Sequence, residues 1–406
     1  MKILFLNTLD DPADGGGAEV TLWTLMRALT AAGHQCILLA TSKGRGLERS
    51  ERDGVRVWRA GIRNVYWPGM GSRAPAPMRL LWHAIDSYNP LMQGYLEQIL
   101  ATEKPDVVSI HNLPGWSSAA WGTVQRAGIP SVQVLHDQYV LCPRTAMFKD
   151  GSNCQRQCTR CRLLRLPHRA LSNGASAVVG VSRFILDRHV NYGYFAQVAH
   201  RRVIRNARQA APLGLDAPNV AHAGLRIGFI GRLDSTKGVE TLLQAFREYE
   251  RPDAELWIAG TGKSDYQAVL HAKVQDSRVR FLGRVAPREF YPQVDIVVVP
   301  SLWNDTLPGV VFESQAFGKP VIGSRRGGIP EMVRDGENGV LFEPEQPGEL
   351  VQALRCLGDD EGLRERMGRA ACASAKPFLD VEAWVGQYTR LYQELTLLPD
   401  TMDAKT

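Results

Sequence analysis

The chain has 406 residues, of which 44% are hydrophobic and 22% are charged, and its formal net charge is +6. This length exceeds one typical hydrophobic core and predicts two domains in an ordinary globular protein. No apolar run reaches the roughly 20 residues that span a bilayer, which excludes a membrane-spanning helix. The N-terminal segment MKILFLNT is too short for a secretion signal and predicts a first strand, so we expect a cytoplasmic protein.

The charge is distributed unevenly between the two halves of the chain. Residues 1–205 contain 25 Lys and Arg against 14 Asp and Glu, a net of +11, whereas the remaining residues carry a net of −5. A basic N-terminal half can face an anionic membrane surface or a phosphorylated acceptor, and the alternative is a dispersed solvated surface. A nucleic-acid partner is not expected, because the sequence has no motif of interleaved aromatic and basic residues.

Short apolar runs alternate with helical patterns along both halves. The predicted strands are Ile3–Leu6, Ile37–Ala40, Val55–Trp58, Val107–Ile110, Val132–Leu135, Ala177–Val181, Arg226–Ile230, Leu256–Ala259, Val279–Leu282, Ile296–Val299, Val321–Gly323 and Val340–Phe342. The predicted helices include Ala18–Ala31, Val239–Tyr249, Val310–Phe317, Pro347–Leu357 and Val381–Leu397. Near-continuous apolar strands are typical of parallel sheets covered on both faces, so the alternation predicts a doubly wound α/β fold.

A change of composition divides the chain. Residues 206–224 are rich in Ala, Pro and Gly and lack a strong period, which predicts a linker. The linker separates an N-terminal Rossmann-like domain, residues 1–205, from a second one, residues 225–378. Residues 379–406 predict a final amphipathic helix and a frayed tail. Ligands of such folds bind at the carboxyl ends of the strands, so we expect the site in a cleft between the two domains.

The most informative stretch is DTLPGVVFESQAFGKPVIGSRRGGIPE, which runs from Asp305 to Glu331. Its two carboxylates, Asp305 and Glu313, are eight residues apart, and the start of a predicted helix lies between them. One carboxylate can accept hydrogen bonds from sugar hydroxyls and the other from ribose hydroxyls. The intervening amides of Gly309 and Val310 can face a diphosphate. This arrangement predicts a nucleotide-sugar site.

Two cations follow the first strand of the second domain. Gly231 and Arg232 come directly after that strand, and Lys237 lies a few residues later at the start of a predicted helix. Cations at the carboxyl end of a strand can neutralise a leaving diphosphate. A loop with solvated cations is the alternative. The presence of Asp305 and Glu313 in the same domain favours the functional interpretation.

These motifs resemble those of a known family. GRLDSTKG, WIAGTG, FLGRV, VVVPS and the Asp305–Glu331 block are similar, in order and spacing, to the donor-site signature of the retaining glycosyltransferases of family 4. The resemblance implies the GT-B architecture, with two Rossmann-like domains facing a central cleft and a final helix that crosses back to the first domain. It also implies a nucleoside diphosphate sugar as donor and no catalytic divalent metal.

The resemblance also implies roles for individual residues. Arg232 and Lys237 would contact the donor diphosphate, Glu313 would hold the ribose, and Asp305 would contact the sugar hydroxyls. The family usually has Glu at the position of Asp305, so the side chain is one methylene shorter here. Pro308 replaces the usual Gly and removes one backbone amide, so we expect Gly309 or Val310 to contact the phosphate.

The first domain offers a glycine loop and a histidine. Asp14, Gly15, Gly16 and Gly17 follow the first strand and open a helix; the family has a Gly-Gly loop here that lines the acceptor side and approaches the diphosphate. A plain strand–helix turn is the alternative.

His136 ends another strand at a position where the family also has a histidine. It can bond a sugar hydroxyl or shuttle a proton, and a structural histidine is the alternative. His111 ends the preceding strand, and we expect it to support His136 without contacting the ligand itself.

The seven cysteines are too few for a disulfide scaffold. Three of them stand alone among apolar neighbours, so we expect Cys36, Cys356 and Cys372 to be buried. The other four, Cys142, Cys154, Cys158 and Cys161, lie in a Cys-rich insertion over residues 142–161. Four thiolates so spaced predict a structural zinc site, with an iron–sulfur cluster or four unligated thiols as alternatives. Several nearby arginines can meet an acceptor phosphate or a membrane, or form a solvated basic face.

These observations together predict a retaining glycosyltransferase. It would transfer a hexose-type sugar from a nucleoside diphosphate sugar to a hydroxyl of a saccharide or lipid-linked saccharide, in the synthesis of a surface polysaccharide or glycolipid. We expect it in the cytoplasm, peripherally at the inner face of the cell membrane. A nucleotide-sugar epimerase of the same fold and a non-catalytic sugar-nucleotide-binding protein are the alternatives.

Overall fold

A computed structural model describes residues 1–11, 16–67 and 74–397. The chain forms two compact units. The first comprises the described residues of Met1–Met147, Cys154–Asn206 and Val381–Thr406, and the second comprises Phe148–Asn153 and Ala207–Asp380. The second unit therefore begins at the start of the predicted linker, residues 206–224. It also includes a short segment of the predicted Cys-rich insertion, Phe148–Asn153.

All twelve predicted strands are confirmed, with ends that differ by at most a few residues. In chain order the strands are β1 (Lys2–Leu6), β2 (Gln35–Ser42), β3 (Leu47–Arg52), β4 (Val55–Gly61), β5 (Val107–Ile110), β6 (Ser131–Leu135), β7 (Phe148–Lys149), β8 (Ser152–Asn153), β9 (Ala177–Gly180), β10 (His200–Val203), β11 (Leu225–Ile230), β12 (Ala254–Ala259), β13 (Val279–Gly283), β14 (Ile296–Val299), β15 (Val321–Ser324) and β16 (Gly339–Phe342).

The five predicted helices are also confirmed, and the structure adds others. In chain order the helices are α1 (Gly17–Ala31), α2 (Ala76–Ser87), α3 (Pro90–Glu103), α4 (Ala119–Arg126), α5 (Thr159–Leu164), α6 (Leu166–Leu171), α7 (Arg183–Asn191), α8 (Ala210–Leu213), α9 (Val239–Glu248), α10 (Ser264–Ala272), α11 (Pro287–Phe290), α12 (Gly309–Ala316), α13 (Pro347–Asp359), α14 (Glu361–Leu379) and α15 (Val381–Leu397).

The sheet of the first unit has the order β10-β9-β6-β5-β1-β2-β4-β3. Its strand pairs are parallel except for β3 with β4, which is antiparallel. The inner strands β5 and β6 are buried along their whole length, because helices cover both faces. The strand order reverses between β1 and β5, so the segments that follow these two strands lie at a topological switch point.

The sheet of the second unit has the order β13-β12-β11-β14-β15-β16, and all its pairs are parallel. This is the order of a doubly wound dinucleotide-binding fold, with the switch point between β11 and β14. A single core of buried side chains lies between the sheet and α9 and α13; Ile227, Leu242 and Leu354 are examples. The residues that follow β11 and β14 are therefore held next to each other by a rigid scaffold.

The last helix belongs to the first unit. Helix α15 packs against α1 and β5 and buries Trp384, Tyr388 and Tyr392. The hydroxyl of Tyr392 donates a hydrogen bond to Ser109 Oγ on β5 at 2.9 Å. The tail that was predicted to be frayed, Pro399–Thr406, lies outside the described residues. None of the described helices is both long and apolar enough to cross a membrane.

The expectation that all three isolated cysteines are buried was wrong for two of them. Cys36 is 3% exposed on β2, in agreement with the prediction. Cys356 on α13 and Cys372 on α14 are exposed instead. Both helices are amphipathic, and the apolar neighbours of each cysteine in sequence point to the core on the other side of the helix.

Candidate functional site

The second unit brings the predicted donor-site residues to one edge of its sheet. Gly231, Arg232 and Lys237 follow β11, whereas Asp305 follows β14 and Glu313 lies on the next helix, α12. Because β11 and β14 are neighbours, the two loops meet at the switch point of this sheet. The sequence motifs that were used for the prediction therefore converge in space.

A short turn positions the first two cations. Asp234 Oδ1 accepts a hydrogen bond from the backbone of Thr236 at 2.9 Å, and its Oδ2 accepts one from Arg232 Nε at 2.7 Å. Burial would raise the pKa of Asp234, but the bonds from Thr236 and Arg232 outweigh it and hold the pKa below its ordinary value. Arg232 itself is 73% exposed, so its guanidinium remains open to a ligand.

Lys237 and Asp305 form the central ion pair of the site. Lys237 Nζ lies 2.5 Å from Asp305 Oδ2, and the two side chains are 21% and 9% exposed. The ammonium also lies 5.3 Å from the centre of the Trp303 ring. A largely desolvated lysine paired with a carboxylate keeps both charges compensated, and it presents a positive charge to any anion that reaches the loop.

Two glycines allow the loops to approach so closely. Gly238 has φ +71°, and a Cβ there would lie 1.9 Å from the carbonyl oxygen of Pro300, just after β14. Gly327 has φ +57°, and its Cβ would lie 1.9 Å from the carbonyl oxygen of Asp305. Any other residue at either position would push the loops apart, so these glycines set the distance between Lys237 and Asp305.

Glu313 is held in a separate buried network. Its Oε1 lies 3.8 Å from Arg208 Nε, and its Oε2 accepts a hydrogen bond from the hydroxyl of the buried Tyr291 at 3.4 Å. Burial raises the pKa of Glu313, although the Arg208 charge and the Tyr291 bond offset part of that effect. The carboxylate can accept further hydrogen bonds, as recognition of a diol requires.

Pro308 precedes α12, so Gly309 and Val310 supply the first residues of that helix. The first amides of an α-helix have no intrahelical acceptor and point toward the N-terminus. Pro308 therefore removes an amide from the residue before the helix and leaves those of the first turn in place.

In the first unit, Gly16 precedes α1 and Gly17 begins it, whereas Asp14 and Gly15 lie outside the described residues. Glu19, which is 7% exposed, accepts a hydrogen bond from the Gly16 amide at 2.7 Å. Asn112, which follows β5, donates to the other oxygen of Glu19 at 3.4 Å. The beginning of α1 is thus joined to the loop after β5 at the switch point of the first sheet.

His136 contacts a buried chain of polar groups. His136 Nε2 lies 2.8 Å from His111 Nδ1, and His111 Nε2 lies 3.1 Å from Ser109 Oγ, which accepts from Tyr392. Burial, and then the adjacent His136 ring, hold the pKa of His111 well below its ordinary value, so His111 is neutral. A neutral imidazole has one N–H, so His111 donates from one nitrogen and accepts at the other. The hydrogen-bonding state of Ser109 is therefore coupled to that of His136.

The cysteine cluster is partly assembled. Cys142 Sγ and Cys161 Sγ lie 3.5 Å apart, which is too long for a disulfide and close to the separation of about 3.8 Å that Zn–S bonds of 2.3 Å imply in a tetrahedral site. Cys158 is the residue before α5, and Cys154 is partly buried. Among residues 1–11, 16–67 and 74–397 no three His, Cys, Asp or Glu side chains form a group that could hold a metal ion. The zinc site stays a prediction.

Several groups at the site were not found from the sequence. Arg208 and Tyr291, which contact Glu313, come from the predicted linker and from a region without a recognised motif. Tyr392 lies 283 residues from Ser109. Asn153 contacts the loop before Asp305, and an Asp-Gly pair that favours a hairpin turn was the available signal.

Comparison with known proteins identifies the family. The model of the glycosyl transferase 4-like domain matches residues 16–207, and the model of glycosyl transferases group 1 matches residues 224–360. A Klebsiella pneumoniae protein, described as an uncharacterized 42.6 kDa protein in the cps region, is 30% identical over 97% of this chain and 100% of that one. A D-inositol 3-phosphate glycosyltransferase of Corynebacterium diphtheriae is 38% identical over 37% of this chain and 38% of that protein.

Solved structures show the same fold. Sucrose-phosphate synthase from Thermosynechococcus elongatus aligns with a TM-score of 0.75 and 20% identity, over 97% of this chain and 98% of that one. Anabaena HepE, in complex with UDP and glucose, aligns with a TM-score of 0.68 and 21% identity, over 97% and 100%. Both are GT-B structures. The chain therefore belongs to the group 1 glycosyltransferases with a family 4-like N-terminal domain, and it is a transferase enzyme, which confirms the resemblance drawn from its motifs.

Proposed function

We propose that this protein is a retaining glycosyltransferase that uses a nucleoside diphosphate sugar and transfers the sugar to a hydroxyl acceptor. The observation that carries the proposal is the convergence of Lys237, Asp305 and Arg232 at the switch point of the second sheet, with Glu313 on the helix that follows. This is the place in an open α/β sheet where ligands bind. The two cations and two carboxylates match the parts of a sugar nucleotide.

Arg232 and Lys237 would stabilise the leaving diphosphate. The bond between the sugar carbon C1 and the diphosphate oxygen breaks, and the bond from C1 to the acceptor oxygen forms on the same face of the ring. The proton of the acceptor hydroxyl passes to the departing diphosphate oxygen, so no protein nucleophile is needed. Negative charge grows on the diphosphate as the bond breaks, and fixed cations favour that transition state. This chain's contribution is that charge, with no catalytic divalent metal proposed.

The carboxylates and the histidine would position the donor. Asp305, paired with Lys237, would accept hydrogen bonds from sugar hydroxyls, and Glu313 would accept them from the ribose. Gly231, Gly309 and Val310, with Gly16 and Gly17 of the first unit, would bring backbone amides toward the diphosphate. His136 would bond a sugar hydroxyl or move a proton, with His111 fixing its ring.

The acceptor is proposed to be a saccharide or a lipid-linked saccharide at the inner face of the membrane. The Klebsiella relative is described by its cps region, and a structural neighbour, WaaB, is named as a lipopolysaccharide outer core galactosyltransferase. The first unit also exposes four leucines and two arginines on helices α2, α5 and α6: Leu80, Leu81, Leu163, Leu166, Arg160 and Arg162. Exposed apolar and basic side chains together suit an anionic membrane surface.

A structural zinc ion at Cys142, Cys154, Cys158 and Cys161 is part of the proposal. The Cys142–Cys161 separation supports it. Metal analysis of protein purified without chelator tests this: about one zinc per chain that Cys142→Ser removes is expected. Iron would support a cluster, and metal-free protein would contradict the site.

The function is tested by incubating the protein with UDP-glucose, GDP-mannose and ADP-glucose, and measuring release of the nucleoside diphosphate. Release of one of the three, raised by added saccharide acceptor, is expected, and the anomeric configuration of the product reports retention. A change of the sugar without nucleotide release would identify an epimerase. No turnover of any donor, together with no binding, would contradict the proposal.

A further inference from the structure

A short hairpin of the Cys-rich insertion belongs to the second unit rather than the first. Strands β7 and β8 pair antiparallel, with Phe148 opposite Asn153 and Lys149 opposite Ser152. The turn consists of Asp150 and Gly151, whose φ angles are +52° and +78°. Two positive φ angles in a two-residue loop define the tight hairpin turn that Asp-Gly favours. The hairpin is therefore a compact arm with a fixed register.

Asn153, at the base of this arm, binds the main chain of the Leu302–Asp305 loop with both ends of its amide. Its Nδ2 donates to the carbonyl oxygen of Leu302 at 2.7 Å, and its Oδ1 accepts from the amide of Asn304 at 2.9 Å. A primary amide is a short side chain that can donate and accept in this way at once. The pair of bonds reproduces the contacts that a neighbouring strand would make.

The same loop is bound from two other sides. The amide of Leu302 donates to the carbonyl oxygen of Thr236 at 2.8 Å, directly before Lys237. The amide of Gly328 donates to the carbonyl oxygen of Asp305 at 2.7 Å. Asn153 binds the stretch between these two points. The orientation of the Asp305 carboxylate toward Lys237 thus depends on a segment that Asn153 holds.

We propose that Asn153 is a positioning residue for the donor site, which fixes the Leu302–Asp305 loop so that Asp305 and Lys237 keep their geometry toward the donor sugar and its diphosphate. The inference rests on the proposed function of those two residues. Small displacements of reacting groups are costly, because a shift on the order of 1 Å can lower a rate about a hundredfold. The Cys-rich insertion then contributes to the donor site through a single amide side chain.

Two variants test the role of Asn153. Asn153→Ala removes both bonds, whereas Asn153→Asp keeps the acceptor for Asn304 and places a carboxylate oxygen against the Leu302 carbonyl. Ser152→Ala is the matched control, because Ser152 is exposed and its hydroxyl bonds within the hairpin, to Lys149. The readout is nucleotide release from the donor selected among UDP-glucose, GDP-mannose and ADP-glucose, together with the affinity for the matching nucleoside diphosphate alone.

We expect both Asn153 variants to lower kcat/KM roughly tenfold, an effect equivalent to about one lost hydrogen bond in the transition state. Affinity for the nucleoside diphosphate alone should fall by a smaller factor than kcat/KM, because the proposed contacts of Arg232, Glu313 and the first turn of α12 remain in place. The activity of Ser152→Ala should change less than about threefold. Wild-type kcat/KM in Asn153→Ala would overturn the inference. An equal loss of nucleotide affinity together with a lower melting temperature would also overturn it, because it would show a general structural role.

A second measurement does not depend on the donor. Hydrogen exchange of the Asn304 amide should be slow in the wild type and at least about tenfold faster in Asn153→Ala, because a broken amide hydrogen bond removes protection. Unchanged exchange would overturn the inference. If the wild type releases no nucleotide while Asn304 exchange responds as expected, the proposed function fails but the contact made by Asn153 is supported. If the wild type is active and Asn153→Ala is equally active, the proposed function holds and the role of Asn153 fails.

Discussion

At the switch point of the second sheet, the predicted Lys237 and Asp305 form an ion pair. On the helix that follows, the predicted Glu313 lies close to Arg208, which was not predicted. In the first unit, the predicted His136 contacts the neutral His111, which in turn contacts Ser109. The paired side chains of the second unit are charged, whereas the contacts of His111 and Ser109 in the first unit are hydrogen bonds. We infer that changes in the second unit affect the reaction through electrostatics, and changes in the first through positioning.

Of the variants considered, Lys237→Ala should lose the most activity. We expect the barrier to rise by about 3 kcal/mol, on the order of a hundredfold in turnover, because the variant loses the cation that we propose stabilises the leaving diphosphate. Lys273→Ala is the matched control, since Lys273 pairs with Glu240 on an exposed face of the same unit. Nucleotide release measured on both variants decides the matter, and unchanged turnover in Lys237→Ala would remove Lys237 from the site.

Glu313→Gln should have the next largest effect. If Glu313 accepts hydrogen bonds from the ribose as proposed, loss of its charge should weaken donor affinity about tenfold, near the lower end of the roughly 1.5–3 kcal/mol typical of hydrogen bonds to charged groups. Titration calorimetry with the donor, compared with Glu337→Gln on the surface, measures the effect. Equal affinity in wild type and Glu313→Gln would show that the carboxylate does not touch the donor.

The pH dependence of donor affinity also tests the role of Glu313. Because burial raises the pKa of Glu313 above 4.5, the carboxylate protonates at a higher pH than an ordinary glutamate as the solution is acidified. Donor affinity of the wild type should therefore fall as the pH decreases toward that raised pKa, whereas the affinity of Glu313→Gln should stay level over the same range. A parallel decline in both proteins would assign the titration to another group.

Prediction and structure agree best for elements whose secondary structure follows from the local sequence pattern. The near-continuous apolar runs of β5, β6 and β14 are buried on both faces, and such runs are visible in a single sequence. Four of the described strands were not predicted: β3, β7, β8 and β10. Strands β3 and β10 lie at the edges of their sheet, where LERSER and HRRV carry mostly polar side chains that face water. Strands β7 and β8 have only two residues each, too few to show a pattern.

The site residues likewise fall into those that a local motif predicts and those that it does not. Arg232, Lys237, Asp305 and Glu313 lie in contiguous motifs, and the strand order alone brings their loops together. Other contacts at the site come from distant segments, as Arg208 does for Glu313 and Tyr392 does for Ser109, and they depend on side-chain packing across the whole unit. No local pattern encodes such contacts, because they involve residues that are ordinary in their own surroundings.

His111→Phe should have a smaller effect, on the first-unit side of the comparison. The substitution keeps an aromatic ring beside Phe5 and removes the nitrogen that contacts His136. We expect kcat/KM to fall roughly fivefold, because His136 loses one of its orienting bonds. Steady-state kinetics against His271→Phe, an exposed histidine of α10, check the effect, and an unchanged kcat/KM would exclude a role for the pair.

Tyr392→Phe should have the smallest effect. It removes the hydroxyl that donates to Ser109 and should lower the free energy of unfolding by about 1 kcal/mol, while activity falls less than about threefold. Tyr388→Phe, one turn earlier on α15, is the matched control. Denaturant unfolding and kinetics of both variants test the contribution of this hydrogen bond. A loss of activity as large as that of His111→Phe would show that Tyr392, Ser109 and His111 act together on His136.

If the switch point of the second sheet binds a nucleoside diphosphate sugar, that donor should stabilise the folded protein. The decisive measurement is a thermal-shift screen of the wild-type protein and Lys237→Ala against UDP-, GDP- and ADP-linked sugars. We expect one donor to raise the wild-type melting temperature by several degrees, since binding at a hundred times Kd stabilises by about 2.7 kcal/mol, and we expect a smaller rise in Lys237→Ala. No shift with any donor, or equal shifts in the two proteins, would contradict donor binding at this site.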